Sequence, residues 1–569
     1  MKSEGRAGLS VWGGGQLLAF SGLDGPTDYE HGIVARTAKD GRAAVEIMLP
    51  ASFLLVFDEA APVEVDLTGD SLGVRTARGE SLLVFADAYH LLVDGPCRLE
   101  DPDGGPMPEA LRVAQSGGRT LVGEANAFDE SWLDADVGRL WDDRRAWLAS
   151  TVERLAGDGA AVGARGEPAA GARRAVCGSL SGLRDATLRK ALSVMKTQVC
   201  SPEGLLRHRW TTPDRWPHRK IWLWDSGFHA AGWRHVDPPL AREMLSAVVD
   251  TQRPDGRIPI STDPFGRKTG AFTQPPVLAL AVALVDEAAG DDEWLASVYE
   301  PLVRYVEWDL ANRDSDGAGL VEWAIEGDPG CRSGESGADN SSRFDAATQL
   351  DAPDFNALLA HELEHLAAFA DRLGRNEDVG RLRERHREIC ARINERLWDE
   401  EAGIYMDAHA ASGERTGVLS CAGFLPLLCG APSREQAVKL VAHLRDPATF
   451  GRPLPLPTIV ANEHGAYSKD MWRGPAWVNV NWLVARGLRR YGYEVEACEL
   501  IDRTMTVIEE QYARHGCIFE YYDDENVVDP PRLLRKGSSD PEEWIHQSIH
   551  DYGWSSTLYV DWAARGSRG

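Results

Sequence analysis

The chain has 569 residues, more than one ordinary hydrophobic core accommodates, so two domains with one of them large are expected. Its 88 acidic against 61 basic residues leave a formal charge of -27, which repels phosphate backbones and anionic lipid surfaces and argues against nucleic acid and membrane as partners. The nine cysteines are scattered, without a Cys-x-x-Cys pair or zinc-ligand spacing, which suits free thiols in a reducing compartment. The first residues are polar and lead into no signal-type apolar core, and no run approaches the roughly 18 apolar residues of a membrane span, so a cytoplasmic protein is expected.

Over residues 1–130, short β-branched and aromatic runs alternate with Gly, Asp and Pro turns. Runs at 16–20, 32–37, 44–49, 53–57, 63–67, 72–76, 82–87 and 89–93 predict the strands of an antiparallel β-sandwich. The aromatic and acidic stretch 20–29 reads as a connection rather than a finger laid across the neighbouring domain. In 131–185 the period becomes helical through Trp141 and Trp147, and 156–175 then turns Ala/Gly/Arg-rich, the composition of a linker.

From 186 to 569 helical periods dominate, at 186–199, 226–235, 238–251, 274–289, 292–311, 356–373, 376–398, 418–428, 432–444, 475–491, 494–513 and 553–565. Consecutive pairs of this kind predict α-hairpins around a common core; if they close into a ring, the loops at one end converge on its axis.

The loops between those helices are polar and aromatic. The run 333–345, around Glu335 and Asp339, is so rich in carboxylates, hydroxyls and glycines that it is expected outside the core, with Asp339 able to face a pocket. Trp222-Leu223-Trp224-Asp225 sets two indoles beside a carboxylate, a combination that suits stacking on a sugar ring while the acid holds hydroxyls. Gln252 and Asp255 lie in a Pro/Gly turn, and Trp472 and Arg473 in a second tryptophan-rich loop just before a helix. Glu520 sits among Phe519, Tyr521 and Tyr522, neighbours that can raise a carboxyl pKa for acid or base work. Trp554 opens the last helix.

Two further patterns match known motifs only in part. His361-Glu362-Leu363-Glu364-His365 fits the His-Glu-x-x-His pattern, but no third ligand at suitable spacing follows, so a plain surface helix and no metal are expected. Trp12-Gly13-Gly14-Gly15 is not followed by Lys-Ser/Thr and is no phosphate cradle.

Taken in order, Trp222-Leu223-Trp224-Asp225-Ser226, Gln252-Arg253-Pro254-Asp255-Gly256, Glu335-Ser336-Gly337-Ala338-Asp339-Asn340-Ser341, Trp472-Arg473-Gly474-Pro475 and Phe519-Glu520-Tyr521-Tyr522 resemble glycoside hydrolase family 63 and are similar to the related trehalases. The resemblance covers about 190–565 and implies a mainly α protein, an (α/α)6 barrel preceded by the β-sandwich, that hydrolyses an α-glycoside with inversion. It matches Asp339 to the general acid and Glu520 to the general base, and Trp224, Asp225, Gln252 and Trp472 to the sugar subsite. Trp222, Asp255, Arg343, Arg473 and Trp554 complete the expected substrate-binding set, with Arg343 and Arg473 as the guanidinium for a glycerate aglycone. The chain departs from the family pattern at Ser342, where proline is common, and in a long charged segment, 524–551, that could cover the leaving-group subsite.

The expectation is therefore a cofactor-independent hydrolase of a small α-glucoside, a small carbohydrate being its partner and a homo-oligomer left open. The alternatives are an α-mannoside or glycosylglycerate hydrolase or a trehalase on the same fold, and, in another class, a non-catalytic carbohydrate-binding protein. An isomerase would need facing histidines, and His229, His235 and His464 fall near the motif loops.

Overall fold

The computed structural model describes residues 10–163, 177–462, 465–538 and 544–565. Eleven strands come first: β1 Leu17–Ala19, β2 Val34–Thr37, β3 Ala43–Leu49, β4 Phe53–Asp58, β5 Glu64–Thr68, β6 Ser71–Thr76, β7 Gly79–Asp87, β8 His90–Asp94, β9 Arg98–Glu100, β10 Leu111–Ser116 and β11 Arg119–Glu124. They form two antiparallel sheets, ordered β1-β2-β3-β4-β9 and β10-β11-β8-β7-β6-β5. Side chains such as Leu18, Val45, Leu55, Leu83, Phe85 and Val122 fill the space between them. All eight expected strands are present. The three not anticipated, β9 to β11, lie where 98–124 is broken by prolines, glycines and charges, and hydrogen-bonding to preformed neighbours decides their state.

The helices are α1 Val137–Gly163, α2 Cys177–Thr197, α3 Leu223–Trp233, α4 Pro238–Asp250, α5 Leu278–Ala288, α6 Asp292–Asn312, α7 Pro353–Arg372, α8 Asn376–Arg392, α9 Pro426–Cys429, α10 Arg434–Arg445, α11 Val478–Arg490, α12 Glu494–His515 and α13 Gly553–Arg565. Neighbour contacts run α3, α5, α7, α9, α11, α13 and back to α3, so these six close an inner ring. Between them in sequence come α2, α4, α6, α8, α10 and α12, giving the (α/α)6 arrangement. Inner helices are apolar nearly all round, as α3 and α5 show, whereas α8 buries only Leu382 and Ile389. Aspartates start the outer helices α4 and α6: Asp237 accepts from Leu240 N at 3.0 Å and Asp291 from Trp294 N at 3.0 Å.

Several local expectations change. Residues 20–29 are no simple connection: Gly22 N donates to Val199 O (2.8 Å), Asp24 pairs with Lys196 (2.8 Å), and Tyr29 lies under the Arg219 guanidinium, so the loop is pressed against the helical domain. Helix α1 runs on through Gly163 into the stretch expected as a linker, and 164–176 lie outside the described residues. His361 and Glu362 are buried on α7, not on a surface helix, because α7 belongs to the inner ring. Glu362 accepts from Ala279 N and Leu280 N (2.6 and 2.9 Å) and so caps α5, a task that commits both of its oxygens. No helix among the described residues is long and apolar enough to cross a membrane.

Candidate active site

At the N-terminal ends of inner helices α3, α5, α11 and α13 a cavity of about 270 Å³ opens, and both expected catalytic carboxylates, Asp339 and Glu520, line it. Trp222, Trp224, Asp225, Trp472 and Trp554 line it too. Residues more than 300 positions apart meet here because each inner helix delivers its preceding loop to the same end of the ring.

The loop carrying Asp339 is buried, contrary to its composition. Glu335 explains how: fully enclosed, it accepts from Thr273 N (3.0 Å), Ala324 N (2.8 Å) and two nitrogens of Arg313 (2.7 and 2.8 Å), so its charge is compensated on every side. Gly337 has a φ of 69°, and a Cβ there would stand 2.4 Å from the Trp224 ring, so glycine is required for the loop to close over the indole. Asn340 Oδ1 accepts from Trp472 N (3.1 Å), tying this loop to the one before α11.

The walls are aromatic. Trp472 stacks on Trp477 at 3.8 Å, Trp224 meets Trp554 edge-on at 5.3 Å, and Trp477 lies against Tyr521 at 4.9 Å. The indole N–H groups of Trp222, Trp472 and Trp554 are buried without a hydrogen-bond acceptor. A polyhydroxylated ligand would supply the missing oxygens.

Glu520 is held by short pairings. Its backbone N donates to Ile549 O (2.9 Å), and its Oε2 accepts from Arg535 Nη1 (3.2 Å). Burial pushes the Glu520 carboxyl above its ordinary value, while Arg535 and then His218 pull it part of the way back. Burial, followed by the neighbouring Glu520 charge, holds Asp225 well above the ordinary aspartate value. The Tyr552 hydroxyl donates to Asp225 Oδ1 at 3.3 Å. A carboxyl of that kind can both donate to and accept from sugar hydroxyls. Asp339 faces a cation as well as indoles: Lys536 Nζ lies 2.7 Å from its Oδ2.

Four expected binding residues are not at the cavity. Gln252 Nε2 donates to Gly256 O (2.8 Å) and Pro301 O (2.7 Å), closing its own turn onto α6, and Asp255 is exposed at the tip of that turn. Arg343 is buried between Asp354 and Asp407 in two bidentate pairs at 2.6 to 2.9 Å. Arg473 forks onto Asp345 at 2.7 and 2.8 Å. Gln252, Arg343 and Arg473 are thus anchored in the frame beside the cavity. The cations that do line it, Arg535 and Lys536, come from the charged segment whose length had set it apart, and they were not nominated. His218, Gln274, Trp477 and Tyr552 were likewise missed as lining residues. Gln274 Oε1 accepts from Trp224 N (3.1 Å); its one signal in the sequence is a lone amide just before a helix that is apolar as far as Val285.

The histidines of the isomerase alternative do not converge on the cavity. His229 is buried against Thr211 (2.8 Å), His235 pairs with Asp561 (2.7 Å), and His464 lies outside the described residues. Among the described residues, Asp314, Asp316 and Glu322 gather oxygens within 4.8 Å of one another in the turn after α6, away from the cavity lining.

The family described as "mannosylglycerate hydrolase MGH1-like glycoside hydrolase domain" matches residues 218–555, a span that contains every cavity residue named above. A mannosylglycerate hydrolase from Thermus thermophilus is 28% identical over 402 residues, covering 56% of this chain and 92% of that protein. One from Rubrobacter radiotolerans is 27% identical over 402 residues, covering 55% and 86% respectively. Among solved structures, a family 63 mannosylglycerate hydrolase from Thermus thermophilus in complex with Tris and D-glycerate is similar with a TM-score of 0.54 and 26% identity, over 66% of this chain and 99% of that one.

Proposed function

Since this chain belongs to the mannosylglycerate hydrolase MGH1-like glycoside hydrolases, we propose that it hydrolyses an α-glycoside of a small acidic aglycone, of the glycosylglycerate type, with inversion. This puts the glycosylglycerate alternative ahead of the small α-glucoside expected from the sequence: mannosylglycerate hydrolases are among the similar proteins, and two cations stand in the cavity. The observation that carries it is the contact of Lys536 with Asp339 at 2.7 Å in the same cavity as Glu520. An ammonium at the proton donor lies where the leaving group must be, and a carboxylate on that leaving group has a counter-ion ready. Free thiols at the eight described cysteines suit a reducing, cytoplasmic setting.

In this reading Asp339 gives its proton to the glycosidic oxygen as the bond from that oxygen to the anomeric carbon breaks. A water attacks the anomeric carbon from the opposite face, and Glu520 takes a proton from it. Inversion requires room for that water, which sets carboxyl groups roughly 6.5–9.5 Å apart. Asp225 and the three unsatisfied indole N–H groups hold the sugar hydroxyls, and when the aglycone carboxylate draws Lys536 away, the Asp339 carboxylate takes up from solvent the proton that it then gives to the glycosidic oxygen.

The test is proton NMR of freshly started reactions with mannosylglycerate, glucosylglycerate, trehalose and methyl α-glucoside. The expected result is turnover of a glycosylglycerate with the β-anomer appearing first. Initial release of the α-anomer would overturn inversion, and preference for methyl α-glucoside would overturn the acidic aglycone.

A further inference from the structure

The Gly-rich run Trp12-Gly13-Gly14-Gly15, assigned no role by the reaction, is pressed onto the chain that carries Glu520. A Cβ on Gly13 would stand 1.6 Å from His515 O, and one on Gly516 2.5 Å from Val11 O, so the two backbones touch with no space for side chains. Gln16, almost fully buried, spans the contact: its Nε2 donates to Gly516 O (2.8 Å) and Val11 O (3.0 Å), and its Oε1 accepts from Gly13 N (3.1 Å). One residue on, Leu17 N at the start of β1 donates to Asp551 Oδ2 (2.7 Å), while Asp551 Oδ1 accepts from Ile518 N (3.2 Å). Asp551 is fully buried, pairs with Lys190 at 2.6 Å, and holds a φ of 56°, a left-handed conformation uncommon outside glycine. Ile518 stands two residues before Glu520, and the 518–520 run is paired with 549–552 through Glu520 N to Ile549 O and Tyr552 N to Ile518 O, each 2.9 Å.

A second grip comes from β2. Arg36, also buried, donates to Gly15 O (2.6 Å), His550 O (3.1 Å), Asp214 O (3.3 Å) and Trp216 O (2.6 Å). It thereby links the strap to the 214–218 turn, in which Asp214 Oδ2 lies 2.6 Å from His218 Nδ1. His218 lines the cavity and approaches Arg535, the residue that holds Glu520 Oε2.

We propose that the N-terminal sheets are a working part of the catalytic centre, with Gln16 and Arg36 as positioning residues that set the water-activating carboxylate of Glu520 through the 516–520 and 214–218 segments. Neither touches the cavity; each acts through backbone held at a fixed place. This rests on the reading of Glu520 as the base. A base displaced by a fraction of an ångström loses rate while the subsite built by Trp222, Trp224 and Asp225 stays intact, so kcat should move and KM should not.

The experiment uses the full chain and whichever α-glycoside the wild type turns over, comparing Gln16→Leu with Leu83→Val, a control in the sandwich core whose side chain makes none of the hydrogen bonds that join residues 11–17 to the 516–520 segment. In Gln16→Leu, kcat should fall about tenfold with KM within about twofold. The acid limb of its kcat/KM profile should move to lower pH, because a loosened 516–520 segment admits water to Glu520. Leu83→Val should lower Tm and leave kcat and the pH profile alone. A folded Gln16→Leu with wild-type kcat and pH profile would overturn the proposal, as would an equal loss of kcat in the control. If Gln16→Leu does not accumulate in folded form, Arg36→Lys, which keeps the charge but cannot reach four carbonyls at once, is judged by the same two outcomes. Full activity of Glu520→Gln would remove the underlying reading; an inactive Glu520→Gln beside a normal Gln16→Leu would remove only this one.

Discussion

Replacing Lys536 by methionine removes the ammonium 2.7 Å from Asp339 and keeps most of the side chain's length. If that ammonium anchors an acidic leaving group, the lost interaction is a charge-assisted hydrogen bond, in the range of about 1.5–3 kcal/mol. The Lys536 side chain is 36% exposed, so water and salt screen it and the lower end applies: about 1.5 kcal/mol, or roughly tenfold in binding. Steady-state kinetics with mannosylglycerate and with the matching mannosylglycerol, which carries a neutral hydroxymethyl group in place of the carboxylate, separates this from a general effect on Asp339. The variant should raise KM about tenfold for the acid and change the neutral compound by less than about twofold, and added salt should narrow the wild type's preference. Equal losses on both substrates would refute the anchoring role and leave Lys536 as a support for Asp339 alone.

Asp339→Asn and Glu520→Gln should each lower kcat by at least about a hundredfold while circular dichroism stays that of the wild type. Because burial raises Glu520 above its ordinary 4.5 and a base must be ionised, kcat/KM should fall with decreasing pH along a limb centred above that value. Arg535 pulls Glu520 downward, so Arg535→Gln should carry the limb to still higher pH in a pH-rate series. Glu335→Gln leaves Arg313 uncompensated and turns a donor toward a backbone N–H; a loss of about 3 kcal/mol is expected in denaturant titration, with activity falling as the Asp339 loop loosens. Gly337→Ala drives a methyl into the Trp224 ring and should weaken sugar binding more than it lowers Tm.

Periodicity made the architecture legible: alternating runs became strands, and helical runs broken by Pro and Gly became the ring. The motif loops carried enough chemistry to place Asp339, Glu520, Asp225 and four tryptophans on one cavity. The cations were misplaced for a physical reason. Arg343 and Arg473 stand beside the motifs, but an arginine flanked by acids usually serves those acids, and only three-dimensional pairing shows that Asp354, Asp407 and Asp345 have claimed them. Lys536 sits in a charged run of a kind that is normally a solvated face, and nothing local announces that a φ of 55° turns it into the site. The buried polar loop around Glu335 defeated a composition argument, because its satisfaction comes from Thr273, Arg313 and Ala324, which a local window around the loop does not contain.

The crowding of Trp222, Trp224, Trp472, Trp477 and Trp554 around one cavity has a practical consequence. Indole emission responds to the polarity and hydrogen bonding of its surroundings, and three of these rings hold an N–H in want of an acceptor. Occupancy can therefore be followed from the molecule's own ultraviolet fluorescence, without a label or a coupled assay. An inactive Asp339→Asn protein titrated this way would rank intact glycosides by affinity alone, before any bond is broken.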